Sequence, residues 1–305
     1  MNYTISQLKI FLKVVEHESV TKAAEELNLT QPAVSIQLKN FQKNFTYALT
    51  EIINKKLFVT DFGKEIALAA ENIISELETI NYKSIGYNNV LSGKLKISII
   101  STGKYIMPYY LADFLQTASN VDVELDVTNK AKVINSLEKN EIDFALVSIL
   151  PENLQIKKVD LMENKLMLVA NKKTAQAIQV QKLQVEEIPF IFRESGSGTR
   201  QTMERYLQKQ KFQVKKKITL TSNEAVKQAI IAGMGISIMP IIGIKNELAS
   251  GSLEIIPMKG LPITTTWSLI WLKEKKLSPV AKAYIDYLKL HKDKIGATHF
   301  NLNYP

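Results

Sequence analysis

The run Arg193-Glu194-Ser195-Gly196-Ser197-Gly198-Thr199-Arg200 is the densest stretch of chemistry in this 305-residue sequence. Glycines let neighbouring backbone N–H groups converge. A helix starting at such a loop adds free amides and the positive end of its dipole. Ser197 and Thr199 contribute hydroxyls, and Arg200 offers a two-pronged fork for a carboxylate or phosphate. The chain has 39 lysines and arginines, yet only Arg193, Arg200 and Arg205 are arginine, and all three fall between positions 193 and 205. Arginine confined to one place in so lysine-rich a chain points to a need for planar geometry. The pattern predicts a site for an anionic metabolite, carboxylate or phosphorylated. The plainer alternative is a glycine-rich turn ahead of a capped helix.

Other chemistries have little to work with. No cysteine is present, which removes disulfides, thiolate metal sites and cysteine nucleophiles. The three histidines, His17, His291 and His299, stand at no metal-ligand spacing and form no serine–histidine–acid set, so neither a metal site nor a catalytic residue is expected. The Ser-Gly-Ser-Gly-Thr loop lacks the Gly-Lys-Ser/Thr of a nucleotide hydrolase. The start of the chain does not read as a signal peptide. The most apolar stretch, Ala229–Ile244, holds three glycines and Pro240 and is shorter than the roughly 20 residues of a membrane span. A cytoplasmic protein without membrane contact or cofactor is expected.

The elements that position these residues fall into two textures. Up to about residue 60 the pattern is helical: Ile5, Leu8, Phe11, Leu12 and Val15 share a face. Ser19 or Thr21 can cap a second helix. Thr30 can cap a third, with Pro32 in its first turn and Val34, Leu38, Phe41 and Phe45 on one side. Leu49–Thr60 suggests a hairpin with Asn54-Lys55-Lys56 at its tip. Ile66, Ala70, Ile73, Leu77 and Ile80 then alternate steps of four and three, a heptad seam that asks for a second copy. From Leu95 onward strands and helices alternate, predicting a mainly parallel sheet with helices on both faces, a second such unit starting near Leu166, and little order after Lys292. Net charge is +9, but residues 1–64 carry eight lysines against six acids, only +2, so charge alone is a weak sign of nucleic-acid binding.

The N-terminal segment Ile5–Phe41 resembles the LysR-type winged helix-turn-helix. Ala23-Ala24, Leu27, Gln31-Pro32-Ala33-Val34-Ser35 and Leu38 stand at that family's spacing. Length, linker helix and α/β remainder fit as well. The fold implied is an α/β chain with an all-α winged helix-turn-helix at residues 1–61, a linker helix at 62–92 and a two-lobed, periplasmic-binding-protein-like effector domain at 93–305. Lobe one would take 93–163 plus 266–305, and lobe two 164–265.

The resemblance implies a third helix lying in the major groove of promoter DNA. Thr30, Gln31, Pro32, Ser35 and Ile36 would approach the bases. Gln31 suits adenine and Ile36 a thymine methyl, while Lys39, Lys43, Lys55 and Lys56 would meet phosphates. Ile36 stands where many relatives have arginine, and Gln42, Thr46, Thr50 and Ile52 also depart from the pattern. The effector would lie beyond the carboxyl ends of strands, against Ser101, Thr102, Lys104, Ser148, Ser197, Gly198, Thr199, Arg200 and Ser222. Partners implied are double-stranded DNA, a small-molecule effector, a second copy in a homodimer or homotetramer, and RNA polymerase. A solute-binding protein or an enzyme on the same lobes is the alternative.

Overall fold

The computed structural model describes residues 3–54, 56–85 and 91–300. Contacts divide the chain into two units, Met1–Val90 and Leu91–Pro305.

In the first unit, α1 (Ile5–His17), α2 (Val20–Glu26) and α3 (Gln31–Gln42) pack around Phe11, Val14, Val34 and Phe41. Each start is capped as its sequence demands. Thr4 and Gln7 form a reciprocal capping box, and Ser19 accepts from the Lys22 N–H. Thr30 accepts from the Ala33 N–H at 3.4 Å. The buried Ala23 and Ala24 present no bulk where α2 meets its neighbours. Phe45 lies past the end of α3, so it does not extend that helix face; it packs on Tyr3, Phe41 and Phe62 from the following turn. Strands β1 (Thr50–Ile53) and β2 (Lys56–Val59) form the antiparallel wing. Helix α4 (Asp61–Ile85) follows. Its first turns belong to this core through Ala67 and Ala70, whereas Ile73 and Ile80 of the heptad seam are exposed.

The second unit is built on one seven-stranded sheet. Its strands are β3 (Ser92–Ile100), β4 (Asn120–Thr128), β5 (Phe144–Val147), β6 (Ile156–Asn171), β9 (Ser237–Pro240), β10 (Leu253–Ile255) and β11 (Ile263–Leu272). The order is β10-β6-β11-β5-β3-β4, with β9 also on β6. A separate parallel pair, β7 (Phe190–Arg193) and β8 (Lys217–Leu220), extends lobe two. Helices α5 (Met107–Thr117), α6 (Lys130–Glu138) and α11 (Pro279–Phe300) serve lobe one. Lobe two has α7 (Lys172–Gln181), α8 (Gly198–Lys209), α9 (Asn223–Ile231) and α10 (Lys245–Ala249).

Three expectations need correction. The sheet is mixed: only β4-β3-β5 run parallel, and β11, β6, β9 and β10 pair antiparallel. The later strand–helix unit expected from near Leu166 does not begin with a fresh strand there, because β6 starts at Ile156 and runs 16 residues. Paired with β11, it forms a two-stranded hinge that belongs to both lobes. The chain after Lys292 stays helical to Phe300, since Ile295 and Phe300 are buried in lobe one, where Phe300 stacks on Tyr110. Among the described residues no helix is long and apolar enough to cross a membrane.

Candidate nucleic-acid interface and ligand cleft

Helix α3 turns Val34, Leu38 and Phe41 inward. Thr30, Gln31, Pro32, Ser35, Ile36 and Lys39 are exposed, and so is Lys43 at its C-cap. Ile36 is 59% exposed, a large apolar side chain held in water. Gln7 of α1 donates to Gln37 at 3.1 Å and steadies the helix from behind. On the wing Lys56 is exposed, and Ile52 reaches 75% exposure, while Lys55 lies outside the described residues. The unit therefore offers a neutral, hydrogen-bonding helix face with lysines at its far end. Its nearest approach to a metal-binding cluster is Glu16, His17 and Glu26. Lys13 already fills it, pairing with both carboxylates and, ahead of His17, holding the Glu26 carboxyl below its usual range.

In the second unit the carboxyl ends of strands from both lobes meet. Ser101 follows β3, and its Oγ accepts from Arg193 Nη2 and from Asn223 Nδ2, each at 3.2 Å. Arg193 is 4% exposed, and its Nε and Nη2 are occupied by the Glu194 carboxylate at 2.8 and 2.9 Å. Its Nη1 is buried without a partner among the described residues. A buried guanidinium N–H is a strong donor that calls for an acceptor. Thr102 is buried beside Ser101, whereas Lys104 points outward over the Tyr105 ring at 5.1 Å. Ser148 is half-buried at the end of β5. Ser222 is exposed and spends its hydroxyl capping α9, accepting from the Ala225 N–H at 3.0 Å.

A cavity of about 630 Å³ opens between α6 of lobe one and α8 of lobe two. Ser197 and Arg200 line it together with Lys130, Gln201 and Arg205. Lys130 donates to neutral Gln201 at 3.0 Å; burial, then the charge of Arg205, pulls its pKa below the usual lysine value. Arg200 is held within its own lobe, by Glu204 at 2.8 Å and the Arg193 carbonyl at 3.2 Å, over the Phe192 ring. Ser197 caps α8, and Gly198 and Thr199 form its first turn. Backbone joins the lobes here too, the Ala131 N–H donating to the Gly196 carbonyl at 3.3 Å. Gly196 has φ +85°, which favours glycine, and a Cβ on it would crowd that of Ala131 at 3.1 Å.

The sequence-derived residues thus sort into an inner group, Ser101 and Thr102, and an outer group, Ser197 and Arg200. Asn223 escaped notice because an asparagine after a capping serine looks like helix start. Arg193 was visible in the loop, but its role depends on which way a strand end turns.

Two family models match the chain. One, "LysR substrate binding domain", covers residues 88–292; the other, "Bacterial regulatory helix-turn-helix protein, lysR family", covers residues 5–64. The chain is similar to the HTH-type transcriptional activator CmpR of Synechocystis, at 33% identity over 97% of this chain and 98% of that protein. Among solved structures it is similar to the Synechocystis CcmR regulatory domain in complex with 2-PG. Identity there is 30% and the TM-score 0.61, covering 69% of this chain and 99% of the other. It shares its fold with full-length CbnR complexed with target DNA, at 19% identity and TM-score 0.68, over 94% and 99% of the two chains.

Proposed function

Because the chain belongs to the LysR family of helix-turn-helix transcriptional regulators, we propose that it binds promoter DNA through α3 and that a small anionic metabolite between its lobes controls this binding. On this reading residues 1–61 read DNA, 62–92 link, and 93–305 sense. Gln31, Ser35 and Ile36 contact base edges, with Thr30 and Pro32 setting the start of α3. Lys39, Lys43, Lys55 and Lys56 neutralise phosphates.

The observation that carries the effector reading is the buried Arg193, whose Nη1 lacks a partner among the described residues while Ser101 ties it to the other lobe. Ser101 accepts two hydrogen bonds there, so its own proton is free to donate. An anion entering among Arg193, Ser101 and Thr102 would satisfy both donors and draw the lobes together. Lys104, Ser148, Ser197, Gly198, Thr199, Arg200 and Ser222 form the surrounding rim, and Lys130 adds positive charge. The 2-PG bound by the CcmR regulatory domain supports a phosphorylated carboxylate.

An effector that favours one lobe arrangement shifts the population toward it by no more than its differential affinity. The exposed seam of α4 supports a homodimer, and the family pattern a homotetramer acting with RNA polymerase in the cytoplasm. A mobility-shift titration of its own upstream region, with and without 2-phosphoglycolate, tests the reading. The expected result is a retarded band whose midpoint moves with the anion; no preference over random duplex overturns it.

A further inference from the structure

The hinge carries two further polar atoms with no partner among the described residues, Asn164 Oδ1 and Trp267 Nε1. Asn164 is 4% exposed and Trp267 is fully enclosed. Asn164 Nδ2 is spent on the Thr265 hydroxyl at 3.0 Å, which leaves the amide oxygen as the unused end. One orphan is an acceptor and the other a donor.

Register places them together. Asn164 pairs with Thr265 and Met162 with Trp267 across β6 and β11. Residues two apart on a strand share a face, so Asn164 and Trp267 are diagonal neighbours on one face. Leu166 and Leu168 continue that face and pack in the core beneath Met203 and Tyr206 of α8. Val147 pairs with Ser268, which sets Trp267 level with Ser148 at the carboxyl end of β5. The pair therefore stands at the height of the carboxyl end of β5, with Trp267 packed in the lobe-one core and the leucines beyond Asn164 under α8.

We propose that Asn164 and Trp267 recognise a hydroxyl group of the effector. The indole N–H donates to the hydroxyl oxygen, and the hydroxyl proton is directed to Asn164 Oδ1. A single hydroxyl satisfies both atoms. A carboxylate or phosphate oxygen satisfies only Trp267, and an ammonium only Asn164. The inference rests on the reading of the cleft as an effector site, and it narrows the effector to a hydroxylated anion, which 2-phosphoglycolate is not.

The test is calorimetric titration of the full-length protein with 3-phosphoglycerate and with 3-(phosphonooxy)propanoate, which differ by the hydroxyl alone. The wild type is expected to favour the hydroxylated probe by at least about tenfold. Asn164→Leu and Trp267→Phe should each remove that preference, bringing the affinities of the two probes together. Asn164→Leu also removes the hydrogen bond to Thr265 and Trp267→Phe leaves a small cavity, so each should lower the ligand-free melting temperature modestly, and the ratio of the two probes' affinities is the deciding readout. Equal wild-type affinities overturn the inference and leave the anion reading intact, as does a variant that weakens both probes alike. Binding of neither probe removes the anion reading and this inference with it.

Discussion

Arg193 reaches from the end of β7 to the Ser101 hydroxyl at 3.2 Å, joining lobe two to lobe one although 92 positions separate the two residues in sequence. Asn223 converges on the same oxygen. One small side chain is thus the shared acceptor for two buried groups of the opposite lobe, which makes it a sensitive place to intervene.

Ser101→Ala should take the acceptor from Asn223 Nδ2 and leave Arg193 Nη2 with Glu194 alone. The expected cost is about 1–3 kcal/mol of stability in the second unit, read as a lower melting temperature. Effector response in a reporter assay should fall with it.

The two arginines of the loop should behave differently. Arg193→Met strands the Glu194 carboxylate and should destabilise by about 3 kcal/mol while abolishing the response. Arg200→Ala breaks a partly exposed pair with Glu204 and should cost under about 1 kcal/mol. It should weaken the response without removing it, and an unchanged response would remove Arg200 from the rim.

Anion binding should weaken with alkali earlier than an ordinary lysine would allow. Burial, then Arg205, keeps the pKa of Lys130 below 10.5. The charged form that attracts an anion is present below that lowered pKa and is lost as pH rises through it. Affinity for 2-phosphoglycolate should therefore decline on the alkaline side, and Lys130→Arg, which keeps its charge, should flatten the decline.

Gly63→Ala should unfold the DNA-reading head selectively. A Cβ at Gly63 would lie 2.0 Å from the Leu49 carbonyl oxygen, which is backbone and cannot step aside cheaply. A loss of about 1–3 kcal/mol is expected in the first unit. DNA binding should fall while the calorimetric transition of the second unit stays in place.

On DNA, Gln31 and Lys39 should separate by kind. Gln31→Ala should cost about 1–3 kcal/mol of discrimination at one base pair. Lys39→Ala should weaken all sequences alike and lower the slope of log affinity against log salt by about 1. Equal effects on specific and random duplex from both variants would reject the proposed docking of α3.

What the sequence determined on its own is whatever depends on a few neighbouring residues. Thr30, Ser197 and Ser222 cap α3, α8 and α9, because a cap is a contact between a side chain and an amide three positions on. The motif at α2 and α3 and the spacing along α4 were legible for the same reason. Tertiary structure decided what depends on partners far along the chain. Ile156–Lys165 reads as charged and irregular alone, yet pairing with β11 makes it half of the hinge. Arg193 and Arg200 look equivalent in the loop, but the strand end buries one against Ser101 and leaves the other tied to its own helix. Local bonding energy can be read from a window of residues; the choice of a distant partner belongs to the packed sheet.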